Sequence, residues 1–159
     1  MSESKFKTLR HMETVRNFIG ECIRELTYRC QYHDQSKLEY PEVDIFEKFT
    51  PKLRDVKYGS EEYKKMLLEM KPAIDHHNIS NRHHPEHFEN GISGMNLIDL
   101  IELVCDWKAA SMRNKEGDVI KSIEINQKRF GYSDELKEIL LNTAKWLIKK
   151  DTYNKADES

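Results

Sequence analysis

The chain has 159 residues, 38% of them hydrophobic and 34% charged, with a formal net charge of -2. That length supports one domain with a real core, and the near-neutral charge argues against a protein that coats nucleic acid. No apolar run approaches the ~20 residues of a membrane span, and the polar start, Met1 to Arg10, lacks a signal peptide's apolar stretch, so a cytoplasmic protein without membrane partners is expected.

From Lys5 to Tyr32, Leu9, Met12, Val15, Ile19, Cys22, Ile23, Leu26 and Cys30 recur in steps that predict an amphipathic helix, with a break near Gly20. His11 falls on the edge of that face. A polar segment carrying His33-Asp34 and Lys37 runs to Tyr40-Pro41. Val43, Ile45, Phe46 and Phe49 then predict a short helix ending before Pro51, with a surface excursion or lid over 52–59. Ser60 with Glu61 and Glu62 reads as a helix start. Its apolar line of Tyr63, Met66, Leu67, Met70, Ala73 and Ile74 leads to His77, past a kink at Pro72. His77 should therefore face the core, with His76 turned about 100° away.

Asn81 to Gly91 is a loop by composition. Asn96 with Asp99 opens a further helix, and Leu97, Ile98, Leu100, Ile101, Val104, Cys105 and Trp107 make it apolar on most sides, a central buried helix. Asp118 to Phe130 and Ser133 to Lys150 give two more helices, separated by Gly131, and a polar, frayed tail follows from Asp151. No strand pair is evident, and the class is all-α. Cys22, Cys30 and Cys105 are odd in number and lack CxxC spacing, so they read as buried, reduced thiols.

Chemistry concentrates in the histidines. Five lie between His76 and His87, and with His11 and His33 all seven can be assigned to one metal-binding set. Imidazole and carboxylate together suit Zn, Fe, Mn and related ions. Asp106 sits among Val104, Cys105 and Trp107 on the predicted central helix, where an ionised carboxylate costs several kcal/mol unless it is paired or bound to a metal. A salt bridge to Lys108, Arg113 or Arg10 is the structural alternative.

In this order His11, His33-Asp34 with Lys37, and Asp106 resemble the H…HD…D pattern of the HD-domain metal-dependent phosphohydrolases. The segment His33-Asp34-Gln35-Ser36-Lys37 is similar to the HD-x-[GS]-K form of the motif, and Val104 to Ala110 resembles the helix that carries the last aspartate. His83-His84-Pro85-Glu86 resembles the paired-histidine segment of the HD-GYP cyclic-dinucleotide phosphodiesterases, although the GYP segment itself is absent. The loop from His83 to His87 and the helix from Asp106 to Ser111 are also similar to a family of small phage and bacterial proteins with no assigned activity.

The resemblance implies an HD-like bundle of about five to seven helices over residues 1–150, with a polar tail at 151–159. It implies two divalent transition-metal ions (Mn, Fe, Co, Ni or Zn). His11, His33, Asp34 and Asp106 would hold the first, and His77 and His84 the second, with Asp34 bridging. Asp34 and Lys37 would be catalytic, and Arg82 and His83 would meet the substrate, a nucleotide or other small phosphoester attacked by metal-activated water. HD-like folds also host di-iron oxygenases, and a metal-stabilised nucleotide-binding module is the non-catalytic alternative. A homodimer stays open.

Overall fold

The structure, a computed structural model, describes residues 2–53, 56, 60–113 and 117–157, with side chains as far as residue 151. It is all-α: six α-helices and three short 3-10 turns, with no strand among the described residues. The chain divides into two compact units, Met1–His33 and Asp34–Ser159.

The first unit is one helix, α1 (Glu3–Tyr32), capped by Ser2 Oγ, which accepts from the Lys5 amide at 3.3 Å. It runs through Gly20 without the expected break, since one glycine costs a long helix only about 1 kcal/mol. Leu9, Met12, Val15, Ile19 and Ile23 keep their helical spacing but are 40% to 58% exposed, and α1 buries none of its residues. Cys22 and Cys30 on this helix, and Cys105 further on, are exposed thiols. The expectation that they are buried is thus corrected, because a periodic apolar stripe does not by itself guarantee a cover.

The second unit begins with a 3-10 turn, Gln35–Leu38, and continues through α2 (Glu42–Leu53), α3 (Glu61–Ser80), two further 3-10 turns (Pro85–His87 and Gly91–Gly94), α4 (Leu97–Ser111), α5 (Val119–Phe130) and α6 (Asp134–Asp157). α2 continues past Pro51 instead of stopping before it, since a proline in the last turn removes only one ladder bond. The excursion expected over 52–59 falls largely outside the described residues. α3 is capped by Ser60, whose Oγ accepts from the Tyr63 amide, and it carries Pro72 within it. Its buried line is Met70, Ala73 and His77, spaced to share one face. α6 extends through the segment expected to fray, as far as Asp157, because lengthening an existing helix costs little once it has nucleated.

The apolar core lies where α4, α5 and α6 pack together. Leu103, Val104, Val119, Ile123, Tyr132, Leu140, Leu141 and Ala144 are buried there with Ile92, and Trp107 stacks on Phe130 at 6.4 Å between ring centres. Each fully buried aliphatic side chain of this group is worth roughly 1.5–3 kcal/mol. Gly131, at φ +66°, ends α5 in the left-handed region and lets the chain turn directly into Tyr132 and α6. α4 is central on one face only: Leu103, Val104 and Asp99 are buried, whereas Leu97, Ile101 and Cys105 are exposed.

Candidate metal centre

The site belongs to the other part of the second unit, where α2, α3 and the loop after α3 meet the turn that starts at Asp34. Asp34 has φ +59°. Among non-glycine residues, aspartate and asparagine tolerate this left-handed conformation best. The sharp turn it makes is held by the Lys37 amide donating to its carbonyl at 3.0 Å.

α3 delivers His77 from its buried face. The loop beyond delivers His83, also buried, and His84, half-buried. Asn81 ends α3 by folding its side-chain amide back onto the His77 carbonyl at 2.8 Å. Arg82 then fixes the loop to α4: its Nε and Nη2 fork onto the two oxygens of buried Asp99, each at 3.0 Å. The guanidinium also lies 4.9 Å from the Phe88 ring centre. Asp99 is meanwhile the reciprocal partner of Asn96 in the capping box that starts α4. Arg82, expected at the substrate, also ties the loop that carries His83 and His84 to α4.

One ligand atom from each of Asp34, His77, His83 and His84 lies within 4.8 Å of all the others. His77 Nε2 is 3.2 Å, and His83 Nε2 3.4 Å, from Asp34 Oδ1. Donors about 2.0–2.2 Å from a tetrahedral ion stand roughly 3.3 Å apart, so these spacings fit the edges of such a site. Behind the rings stand carboxylates: His77 Nδ1 is 2.9 Å from Glu42 Oε2, and His83 Nδ1 is 3.2 Å from Glu102 Oε1. Imidazoles backed in this way are the usual arrangement around bound metals.

Burial alone would raise the Asp34 pKa. Contacts from the His77 and His83 rings, and from the Lys37 ammonium at 2.5 Å, outweigh it and hold the carboxyl well below the usual range. Asp34 is thus an anion facing two imidazole nitrogens, and the other nitrogen of each ring faces Glu42 or Glu102, so each ring lies between two carboxylates. Protons on His77 and His83 would serve that pair alone. They would do nothing for His84, whose pKa is pushed down to about 3 by burial and by the charges of His83 and His77, against a smaller opposite pull from Asp106 and Asp34. His84 therefore stays neutral, and its buried Nε2 makes no hydrogen bond. A metal ion satisfies all of these atoms together.

The remaining expected ligands are placed as follows. Asp106 lies half-buried on α4, with a carboxylate oxygen within 4.8 Å of one from Asp34. His11 and His33 belong to the first unit: His11 is exposed along α1, and His33 is its C-cap, bonded through the chain to Asp34. Two histidines of the rich segment, His76 and His87, lie outside the groups of described residues that could share an ion. His76 Nδ1 is 2.7 Å from Glu42 Oε1, and His87 Nδ1 bonds the Ile79 carbonyl. Glu42 and Glu102 escape sequence reasoning, because nothing local marks a glutamate as the partner of a histidine more than ten residues away. The only sequence signal was that Glu42 opens a helix.

Fold and site together define an all-α protein with a buried histidine–aspartate cluster that could hold a metal ion, and no described helix is long and apolar enough to cross a membrane. The chain belongs to a family of unknown function, DUF5662, whose profile matches residues 1–152. No curated protein and no solved structure matches it.

Proposed function

We propose that the protein is a metal-dependent phosphohydrolase of the HD type acting on a nucleotide or related small phosphoester, with Asp34, His77, His83 and His84 holding a divalent transition ion. The observation that carries the metal is the buried Nε2 of neutral His84, which has no hydrogen-bond partner although three other donors lie within 4.8 Å. An ion bound there lowers the pKa of a coordinated water towards neutrality and so supplies a nucleophile for phosphorus.

The chain's own part is positional. Asp34 contributes the anionic ligand, and the three imidazoles fill neutral positions, a donor set that suits Zn, Mn, Fe, Co or Ni. Lys37, one turn away with Nζ beside Asp34 Oδ2, puts a cation at the edge of the cluster. There it can neutralise a phosphoryl oxygen as charge develops. The Asp106 carboxylate near Asp34 would serve either as a further ligand, the role that leaves room for a second ion, or as an acceptor for a proton from bound water. What favours hydrolysis among metal chemistries is this lysine in the His33-Asp34-Gln35-Ser36-Lys37 motif.

The test is metal analysis of protein purified without chelator, followed by a panel of nucleotides and phosphoesters with Mn, Co, Fe and Mg. Bound metal near or above one ion per chain, with turnover of at least one phosphoester, is the expected result. No turnover with any ion removes the hydrolase. O₂ consumption by the iron form would then indicate an oxygenase, and tight retention of a nucleotide without turnover a binding module.

A further inference from the structure

Glu42 is fully buried, and among the described residues its hydrogen-bond partners are a serine and two histidines, with no lysine or arginine. It opens α2, where the unpaired amides of a helix start favour a negative charge. Its carboxylate gathers donors from two other elements: Ser36 Oγ at 3.1 Å and His77 Nδ1 at 2.9 Å on Oε2, and His76 Nδ1 at 2.7 Å on Oε1.

The hydrogens around His77 Nδ1 can be counted. Ser36 Oγ and Asn81 Nδ2 also lie near it, at 3.2 and 3.1 Å. The Asn81 amide has two hydrogens, and they go to Ser36 Oγ and to the His77 carbonyl, both at 2.8 Å. The Ser36 hydroxyl donates to Glu42. Neither neighbour has a hydrogen left for Nδ1, and a bare Nδ1 would confront a carboxylate oxygen lone pair to lone pair. With an ion drawing the lone pair of Nε2, the atom 3.2 Å from Asp34 Oδ1, the His77 proton belongs on Nδ1, with Glu42 accepting it.

We propose that Glu42 is a positioning residue that holds His77 in its Nδ1–H tautomer and so turns the Nε2 lone pair towards the ion. The inference rests on the metal-centre reading and deepens it. His76 is the second claimant on the same carboxylate, and that makes the idea testable. A glutamine at position 42 offers one acceptor oxygen and one donor amide, so only one of the two histidines can keep its Nδ1–H on it, and the other must take the Nε2–H form or turn away.

The experiment measures Co²⁺ affinity by titration for wild type, Glu42→Gln, His76→Ala and the double variant. It also reads the His77 tautomer by ¹⁵N NMR in the metal-free proteins at mildly alkaline pH. Glu42→Gln should weaken Co²⁺ binding about 10–100-fold and shift His77 away from the Nδ1–H form. His76→Ala alone should bind as wild type does. The double variant should recover most of the lost affinity, because the amide oxygen is then free to turn to His77. A loss in Glu42→Gln that the double variant does not recover, with the tautomer unchanged, would assign Glu42 to folding alone and overturn the proposal. Wild-type His77 found as Nε2–H while Co²⁺ still binds would overturn the role of Glu42 and leave the metal centre standing. Absence of Co²⁺ binding by the wild type would overturn the metal centre itself, and with it the purpose assigned to Glu42.

Discussion

Within the second unit, α4, α5 and α6 enclose hydrocarbon, with Leu103, Ile123, Leu140 and Ala144 all but inaccessible. Around α2, α3 and the loop that follows, the buried apolar groups Phe49, Met70 and Ala73 share the interior with Glu42, His77 and His83. The first region gains free energy simply by excluding water. The second loses it on burying its three polar groups and recovers it only through hydrogen bonds and compensating charge. A fold that needed only stability would fill both regions with aliphatic side chains. The polar region is therefore the one shaped by chemistry, and the apolar region is what holds it still.

The sharpest break of this contrast is Asp34→Ala. It removes the single anion among the four clustered donors, so bound metal should fall and phosphoester turnover should vanish, as read by metal analysis and by the substrate panel. Unchanged metal content would mean that the cluster is not the centre.

The opposite region answers to a different change. Ile123→Ala, at a position with no exposed surface, should cost about 2–5 kcal/mol in urea denaturation while leaving metal stoichiometry as it was. If the two regions are energetically separate, saturating metal adds the same stability to this variant as to wild type, about 2.7 kcal/mol at a hundred times the dissociation constant. An increment that disappears in Ile123→Ala would show the regions to be coupled.

Lys37→Ala separates chemistry from construction inside the polar region. Its side chain is 35% exposed, so melting temperature and metal content should change little. Hydrolysis should drop about 10²-fold through lost charge stabilisation. Full activity in this variant would reduce Lys37 to a partner of Asp34.

The smallest effect concerns the one hydroxyl inside the apolar region. Tyr132 donates to the Ile123 carbonyl, and burial pushes its pKa up from 10.0 to about 12. Between those two values the unfolded chain gives up a proton that the native chain keeps, so stability falls as pH rises through the window. Tyr132→Phe should cost about 1 kcal/mol near neutrality and should lose that alkaline decline, as measured by urea denaturation across pH.

Much of the architecture is legible from the chain because helical order is local. Met70, Ala73 and His77 announce a buried face by their spacing alone, and the same spacing turns His76 away. Ser60 and Asn96 mark helix starts for equally local reasons, a side-chain oxygen reaching an amide two or three residues on. That these groups could hold a metal ion follows from the same kind of reading, since imidazole and carboxylate chemistry is written in the residue types.

Partnership is not local, and there tertiary structure decided. His83 joins His77 and Asp34 while His87 turns to a backbone carbonyl. Arg82 is taken up by Asp99, and Glu42 by two histidines on α3. The apolar stripe of α1, periodic as it is, has no buried residue. In each case the sequence determined what a side chain could do, through its chemistry and its phase on a helix. Which group it met depended on where distant segments came to lie, and no periodicity carries that information across tens of residues.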